Sequence, residues 1–273
     1  MRDFDRKLVF ITGGSTGIGL ATAARLVGRG AEVAIFARRE APLRDAAEAI
    51  GAVRRRADQR VAWRALDVAD ADAVQRVMGE TVGTLGPPDV LINCAGRALP
   101  DYFERITLAQ LDETMRINFY GCWHTVQALL PHMRARGGGY IVNVASLAGL
   151  IGVFGYTDYA ASKFAVVGFS EALRNELAAH DIRVSVLCPP DTDTPGFQHE
   201  NLNKPAETLA VSQGAAVLSP DQVADALLAG MAKRAFLIIP GRSARLGHLL
   251  KRVVPNLVER VIDRQVRRSK RSR

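Results

Sequence analysis

Short apolar stretches alternate with amphipathic stretches along the first 240 residues. Seven apolar stretches are rich in β-branched side chains, which is typical of buried strands, and they cover residues 7–12, 32–37, 61–68, 89–96, 138–146, 182–188 and 236–240. Between them, helical patterns are predicted at residues 42–57, 70–82, 107–133, 158–179 and 219–234. This alternation predicts one α/β domain, residues 1–241, built on a doubly wound, mainly parallel, seven-stranded sheet.

The last 32 residues, 242–273, follow a different pattern. Apolar residues recur there at helical spacing, and Pro255 predicts a kink or the start of a second helix. This segment contains eleven Lys and Arg residues and two acidic residues, so its net charge is +9, while the whole chain carries +8. We predict a basic amphipathic C-terminal extension, which either lies on an anionic membrane surface or packs on its own body or a partner. Nucleic-acid binding is disfavoured, because no aromatic residues are interleaved with the basic ones.

Composition narrows the class of protein. The chain has 273 residues, 48% of them hydrophobic, which suffices for one sizeable core. No run of 18 apolar residues occurs, and the first residues, MRDFDRK, contain no apolar signal segment. Cys94, Cys122 and Cys188 are too few and too scattered for a disulfide framework or a metal site. These features predict a cytoplasmic protein that holds no metal.

A glycine-rich turn follows the first predicted strand. The turn, GGSTGIG (13–19), connects that strand to a helical pattern that runs to about residue 29. Strand, glycine turn and helix are the context of a dinucleotide site, in which the backbone and the helix N-terminus approach the pyrophosphate. An ordinary tight turn is the alternative. The predicted contacts are Gly13, Ser15, Thr16, Gly17, Ile18 and Gly19.

The second and later strands refine the expected cofactor. Ala37 stands where an NAD enzyme places an acid, and Arg38 and Arg39 follow, which suits the 2′-phosphate of NADPH (NADP+) better than the ribose of NADH. A solvent-exposed basic pair is the alternative. Asp67 could accept a hydrogen bond from the adenine amine. Further cofactor contacts are predicted at the ends of the third and fourth strands, at Val68, Asn93, Ala95 and Gly96.

A serine, a tyrosine and a lysine indicate chemistry. Ser146 ends the fifth predicted strand, and Tyr159 and Lys163 are one helical turn apart, so both can reach one ligand. A cation beside a phenol favours the phenolate, and we expect Lys163 to lower the Tyr159 pKa. Tyr156 lies seven residues from Lys163 and is not in the paired position.

Asn118 lies among apolar neighbours in the middle of a predicted helix. It is either a core amide satisfied by backbone or the site of a kink that holds a water linking Lys163 to solvent. The residues alone favour neither.

Together these motifs resemble the short-chain dehydrogenase/reductase family, and the resemblance covers about residues 6–240. It implies a Rossmann fold, with Tyr159 as general acid, Lys163 on the nicotinamide ribose, Ser146 on the substrate oxygen and Asn118 on a relay water. It also implies cofactor contacts at Tyr159, Lys163, Pro189, Thr192 and Thr194, and a homo-oligomer, dimer or tetramer. Two departures are Asn93-Cys94, where the family often has two asparagines, and Pro189-Pro190, where it usually has Pro-Gly.

Residues 189–209 add a narrower resemblance, to reductases of that family that act on long-chain 3-keto amines. It implies a lipid substrate and a polar lid over residues 191–219. Asp191 and Asp193 are candidates to meet the substrate ammonium, unless they only cap local turns. Reduction of another lipophilic ketone, such as a steroid or fatty acyl derivative, and a nucleotide-binding scaffold that docks through its tail are the alternatives. The enzyme would be cytoplasmic, with peripheral membrane contact.

Overall fold

A computed structural model describes residues 3–212 and 216–271, with side chains through residue 268. Residues 1–2 of the predicted domain, residues 213–215 of the predicted lid and residues 272–273 of the predicted tail lie outside the described residues.

The apolar stretches form one parallel sheet, as predicted. Its order is β3-β2-β1-β4-β5-β6-β7, so the chain reverses direction of winding between β1 and β4. Ligands of such sheets bind at the carboxyl edge beside this point. The strands are β1 (Leu8–Thr12), β2 (Glu32–Ala37), β3 (Val61–Ala65), β4 (Val90–Asn93), β5 (Gly139–Val144), β6 (Ile182–Leu187) and β7 (Leu237–Ile238).

Helices cover both faces of the sheet. One apolar core joins one face to α1, α2 and α9, and a second joins the other face to α3, α5 and α6. The helices are α1 (Gly17–Val27), α2 (Glu40–Gly51), α3 (Ala71–Leu85), α4 (Leu108–Met115), α5 (Gly121–Ala135), α6 (Thr157–Leu177), α7 (Pro195–Asn201), α8 (Ala206–Ser212), α9 (Pro220–Ala232), α10 (Arg242–Val253) and α11 (Pro255–Arg271). A single Rossmann-like domain is therefore confirmed.

Two helices differ most from the sequence-based expectation. The second helix was predicted over residues 42–57, but α2 ends at Gly51, and the buried side chain of Gln59 accepts hydrogen bonds from the backbone of Arg55 and Arg56 instead. The helix predicted over residues 107–133 is interrupted by a π-helical turn, Arg116–Tyr120, which separates α4 from α5.

The last two helices have the break that Pro255 predicted: α10 ends at Val253 and α11 begins at Pro255. Lys251 and Glu259 form an ion pair across the break, with 2.5 Å between Nζ and Oε1. Helix α11 packs against α8, which belongs to the predicted lid.

Candidate active site

The glycine turn closes tightly against the end of β4. Gly13 has φ +67°, and a Cβ there would lie 2.8 Å from the backbone nitrogen of Ala95, so a side chain would be both strained and crowded. The hydroxyl of Thr12 accepts hydrogen bonds from the backbone of Cys94 (3.2 Å) and Ala95 (3.3 Å). The turn is thus held at the carboxyl edge of the sheet, with the N-terminus of α1 beside it, where an anion is favoured.

The other predicted residues of the turn divide between surface and core. Thr16 is exposed and its side chain makes no capping bond, and Ser15 is partly exposed. Ile18 packs against the core below, and Gly19 is buried. A Cβ on Gly17 would lie 2.9 Å from Cγ2 of Thr194, so the turn also touches the segment that begins the lid.

The end of β2 opens onto a cavity of about 410 Å³. Arg38 and Arg39 are exposed, and neither forms an ion pair with any residue that the structure describes. Arg38 lines the cavity together with Asp67 and with Arg116 from the π-helical turn. Sequence reasoning missed Arg116, because its sequence separation from the glycine turn gives no sign of this proximity.

Val68 follows Asp67 but is buried. Its backbone carbonyl lies 3.0 Å from Nδ1 of His124, and its side chain lies against Gly121 on α5. These contacts attach the loop after β3 to α5 and so fix the backbone next to Asp67, which lines the cavity.

Three polar residues stand in register across the carboxyl ends of β1, β4 and β5. Thr12 is aligned with Asn93, and Asn93 with Asn143. The Asn93 amide donates to Asn143 (2.9 Å) and its carbonyl accepts from Thr125 on α5 (2.7 Å). Asn143 in turn donates to Ser170 on α6 (2.9 Å). The side chain of Asn93 is therefore committed to protein partners, and Asn143, which sequence reasoning did not single out, ties the helix that bears Tyr159 to the sheet.

Ser146 lies just beyond β5, as predicted. Its hydroxyl accepts a hydrogen bond from the backbone of Ala148 (3.1 Å) and caps a short 3-10 turn. The backbone of Leu147 donates to the carbonyl of Pro189 after β6 (2.9 Å). Ser146 is thereby fixed between the ends of two adjacent strands.

Tyr159 and Lys163 lie one turn apart on α6, with Nζ of Lys163 5.6 Å from the centre of the Tyr159 ring. Lys163 is buried and donates to the carbonyl of Val144 (3.0 Å) at the end of β5. Burial lowers the pKa of Lys163. The structure thus brings Ser146, Tyr159 and Lys163 together at the carboxyl edge of β5.

The Tyr159 pKa is shifted in the direction opposite to our expectation. Burial raises this pKa, the hydroxyl of Ser146 lowers it, and the carboxylates of Glu200 and Asp191 raise it. The net shift is upward because removal from water penalises the phenolate more than the surrounding groups favour it. A Tyr159 pKa below its usual value, which the sequence led us to expect, is therefore not found in this geometry, because burial outweighs the groups that favour the phenolate.

Asn118 agrees with the first of the two readings that the sequence left open and with the distortion, but not the water, of the second. It lies in the π-helical turn, so a local distortion is present. Its buried side chain donates to the Arg97 carbonyl (2.9 Å) and to Ser162 (2.9 Å), and accepts from the Arg97 backbone (2.9 Å). A Cβ on Gly96 would contact both Asn118 Oδ1 and Lys163 Nζ. The amide is therefore satisfied by protein, the Asn118 backbone carbonyl accepts from the Cys122 thiol (3.4 Å), and the relay water stays a prediction.

Helices α7 and α8 lie within residues 191–219, the segment predicted to be a lid and called the lid below. Thr194 caps α7 by accepting from the Phe197 backbone (3.1 Å), and the buried hydroxyl of Thr192 donates to the Pro190 carbonyl (2.9 Å). Thr208 donates to the carbonyl of Phe154 (2.9 Å), just before α6. The lid segment is therefore hydrogen-bonded to the segment that leads to Tyr159.

Two lid carboxylates, both missed by sequence reasoning, bind tyrosines of the body. The Tyr156 hydroxyl donates to Glu200, and the Tyr102 hydroxyl donates to Glu207 (2.9 Å). The Tyr156 ring lies 5.7 Å from that of Tyr159. Burial raises the pKa of Glu200, although Tyr156 and Lys204 oppose the shift. The only sequence signal for these two tyrosine–glutamate pairs was the position of Tyr156 close to Tyr159 in the sequence.

The remaining lid acids differ from each other. Asp193 is exposed and accepts a hydrogen bond from Gln198 (3.1 Å). Asp191 acts electrostatically on both Tyr156 and Tyr159. Of the two acids predicted to meet a substrate ammonium, Asp191 is thus the one near the reactive phenol, and Glu200 joins it.

Comparison with known proteins agrees with this geometry. The family model described as short chain dehydrogenase matches residues 7–205. The chain therefore belongs to the short-chain dehydrogenase/reductase family, as its motifs predicted.

Two sequence relatives and one solved structure illustrate the similarity to known members of this family. A 3-dehydrosphinganine reductase of Danio rerio is 41% identical over 217 residues, which are 79% of this chain and 65% of that protein. The putative oxidoreductase SadH of Mycobacterium tuberculosis is 31% identical over 271 residues, 96% of each chain. A solved short-chain dehydrogenase/reductase from Burkholderia phymatum in complex with NAD is 25% identical with a TM-score of 0.82, covering 94% of this chain and 96% of that one. The match to the first relative thus spans just under two thirds of that protein's length.

Across residues 3–212 and 216–271, we find no helix that combines the length and the apolar character needed to cross a membrane.

Proposed function

We propose that the protein is an NADPH-dependent reductase that converts the 3-keto group of 3-ketodihydrosphingosine to the alcohol of sphinganine, in sphingolipid synthesis. The observation that carries the proposal is the convergence of Ser146, Tyr159 and Lys163 beside the glycine turn. The identity of 41% to a 3-dehydrosphinganine reductase supports the choice of substrate.

The residues at the carboxyl edge fit a phosphorylated dinucleotide. Gly13 has no room for a side chain and so holds the turn against the end of β4, and the N-terminus of α1 beside it favours a pyrophosphate. Arg38 and Arg39 are exposed with no ion pair among the described residues, so both are available to a 2′-phosphate. Arg116 lines the same cavity as Arg38 and is a second guanidinium there, although Asp67, Asp112 and Glu113 also line it.

When bound, NADPH supplies the hydride that reduces the carbonyl carbon. Tyr159 donates the proton to the carbonyl oxygen, and its raised pKa keeps that proton in place until charge develops on the oxygen. Ser146, fixed between the ends of β5 and β6, donates a hydrogen bond to the same oxygen. Lys163 holds a positive charge beneath the phenol ring and stabilises the phenolate that remains. Proton return to Tyr159 would pass Lys163 and the backbone of Asn118.

The lid offers a reason for an amino ketone rather than a neutral ketone. Asp191 and Glu200 both act on the Tyr159 phenol, and Lys204, 3.2 Å from Glu200, balances one of the two charges. Asp191 is then a carboxylate near the phenol that is not paired with Lys204, and it favours the ammonium adjacent to the keto group.

A second candidate is reduction of another lipophilic ketone, such as a steroid or fatty acyl derivative. The match to SadH, an oxidoreductase that aligns over 96% of each chain, supports it. The catalytic residues contact only the carbonyl, so they serve both substrates equally. A scaffold without catalysis is the least supported reading, since Ser146, Tyr159 and Lys163 are all present in one site.

The deciding experiment measures NADPH oxidation with a panel of 3-ketodihydrosphingosine, its analogue without the amine, a steroid ketone and a 3-ketoacyl thioester. We expect kcat/KM to be largest for the keto amine. A larger value for the steroid or the thioester would transfer the proposal to that class, and no oxidation with any ketone would support the scaffold.

We also propose that the enzyme is a cytoplasmic homo-oligomer with peripheral membrane contact. Tyr120, Trp123 and Phe164 are large, partly exposed side chains on or beside α5 and α6, which supports an interface between copies at these helices. Sedimentation of the full chain would show a dimer or tetramer, and a monomer would contradict this assembly.

A further inference from the structure

Helix α10 presents an apolar stripe to solvent. Leu246, Leu249, Leu250 and Val253 recur at helical spacing along it, and they are 56%, 56%, 41% and 69% exposed. Leu257, 57% exposed, continues the stripe onto α11 beyond the break at Pro255. Large side chains so exposed, side by side, mark a contact surface rather than random surface apolarity.

Arginines flank this stripe. Arg242, Arg252 and Arg260 are exposed beside it, and the segment as a whole carries the +9 charge counted from the sequence. Helices α10 and α11 are in contact, and the ion pair between Lys251 and Glu259 joins them across the break.

The other side of α11 faces the body. Val258, Ile262 and Val266 are partly buried where α11 lies against α8. On its own inner side α8 carries Glu207 and Thr208, the residues that bind the body around the active site. The exposed stripe and the lid are consequently parts of one packed unit.

We propose that the face formed by α10 and the start of α11 inserts into the interface of an anionic lipid bilayer and thereby places the lid at the membrane surface. The apolar stripe would enter the boundary of the acyl chains while the arginines meet anionic headgroups. A second copy of the chain fits poorly, because it would bring one +9 segment against another. Nucleic acid would bind the arginines but leave the leucines in water.

Binding to the membrane is independent of the proposed reductase, whereas delivery of substrate through the lid rests on it. A ketone dissolved in the bilayer would reach the active site past α8, so docking should favour substrate held in vesicles. The same docking should have no effect on a short-chain ketone dissolved in water.

Flotation of the full chain with vesicles tests the surface. The vesicles are phosphatidylcholine alone, or phosphatidylcholine mixed with phosphatidylglycerol. The apolar test variant is the double substitution Leu249→Gln and Val253→Gln, and its matched control is Val53→Gln, a similarly exposed apolar residue after α2. The charge variant is Arg252→Gln with Arg260→Gln, and its control is Arg134→Gln, an exposed arginine on α5.

We expect the wild type to bind mixed vesicles and to bind phosphatidylcholine weakly. The apolar variant should lose more than about tenfold in partitioning, and the charge variant roughly fivefold for each arginine. Both controls should bind like the wild type. All four variants should reduce a water-soluble ketone at rates similar to that of the wild type, which shows that they are folded.

Three results would overturn the proposal. The first is absence of wild-type binding to mixed vesicles. The second is equal binding by the apolar variant and the wild type. The third is sedimentation in which the apolar variant alone dissociates to monomer, because the stripe would then lie between copies. If no ketone is reduced at all, the reductase proposal fails while the flotation result still decides the membrane surface.

Discussion

The carboxyl edge of the sheet and the lid both bury polar side chains, but they satisfy them differently. At the sheet edge, Asn93 and Asn143 are neutral amides bonded to each other and to hydroxyls of α5 and α6. In the lid, Glu200 and Glu207 are carboxylates held by tyrosines of the body, and Glu200 also pairs with Lys204.

This difference indicates that the sheet edge and the lid have different roles. Neutral amides in register fix Ser146, Tyr159 and Lys163 relative to one another whatever the pH, because none of their bonds depends on ionisation. The lid contacts depend on charge and can be exchanged for the charge of a ligand. We infer that the sheet edge performs the chemistry and that the lid selects the substrate.

The largest effect should come from the sheet edge. Tyr159→Phe removes the proton donor and leaves the ring, so we expect kcat to fall by about 10³-fold while NADPH affinity is unchanged. Fluorescence titration with NADPH and turnover with excess ketone measure the two quantities separately. The neighbouring Tyr156→Phe is the matched control, and a comparable loss of kcat there would remove the distinction between the two tyrosines.

The cofactor end of the sheet should respond next. Arg38→Asp places a carboxylate where a 2′-phosphate would lie, and we expect the ratio of kcat/KM for NADPH to that for NADH to fall by roughly 10- to 100-fold. Arg44→Asp, an exposed arginine on α2, makes the same change of charge away from the cavity. Equal responses of the two variants would show that net charge, not a specific contact, sets the preference.

A substitution in the lid should change KM for the substrate and leave kcat unchanged. Glu200→Gln keeps the size of the side chain and removes its charge, so we expect KM for the keto amine to rise about tenfold. The analogue without the amine should be nearly unaffected in both kcat and KM. A loss of kcat shared by both substrates would contradict the division between lid and sheet edge.

The pH dependence gives the smallest change and the finest test. Because burial raises the pKa of Tyr159, the phenol stays protonated well above neutral pH, and reduction requires the protonated form. We therefore expect the reduction rate to vary less than about twofold between pH 6 and 9. Alcohol oxidation needs the phenolate and should rise with pH over the same interval. A reduction rate that declines through neutral pH would mean that bound cofactor lowers the Tyr159 pKa.

Much of the site at the sheet edge was predictable from sequence. The glycine turn after β1, the end of β5 at Ser146 and the spacing of Tyr159 and Lys163 are local features. Once the sheet is parallel, the carboxyl ends of its strands must share an edge, so their residues must meet. The break at Pro255 follows from the missing N–H of proline in the same local way.

Other features depended on contacts between distant segments. The burial that raises the Tyr159 pKa comes from the whole closed site, and no pair of residues in the sequence predicts its size. Glu200 accepts a hydrogen bond from Tyr156 because α7 folds over the sheet edge. Arg116 lines the same cavity as Arg38 because the π-helical turn lies beside that edge.

The strands, the glycine turn and the proposed catalytic residues could therefore be identified from the amino-acid order alone, since hydrophobic periodicity and residue spacing act over a few positions. Tertiary contacts set the burial of the Tyr159 phenol, the carboxylates near it and the side of the C-terminal helices that remains in solvent. Those properties depend on which groups lose water and which acquire partners, and only the packing of distant elements sets both.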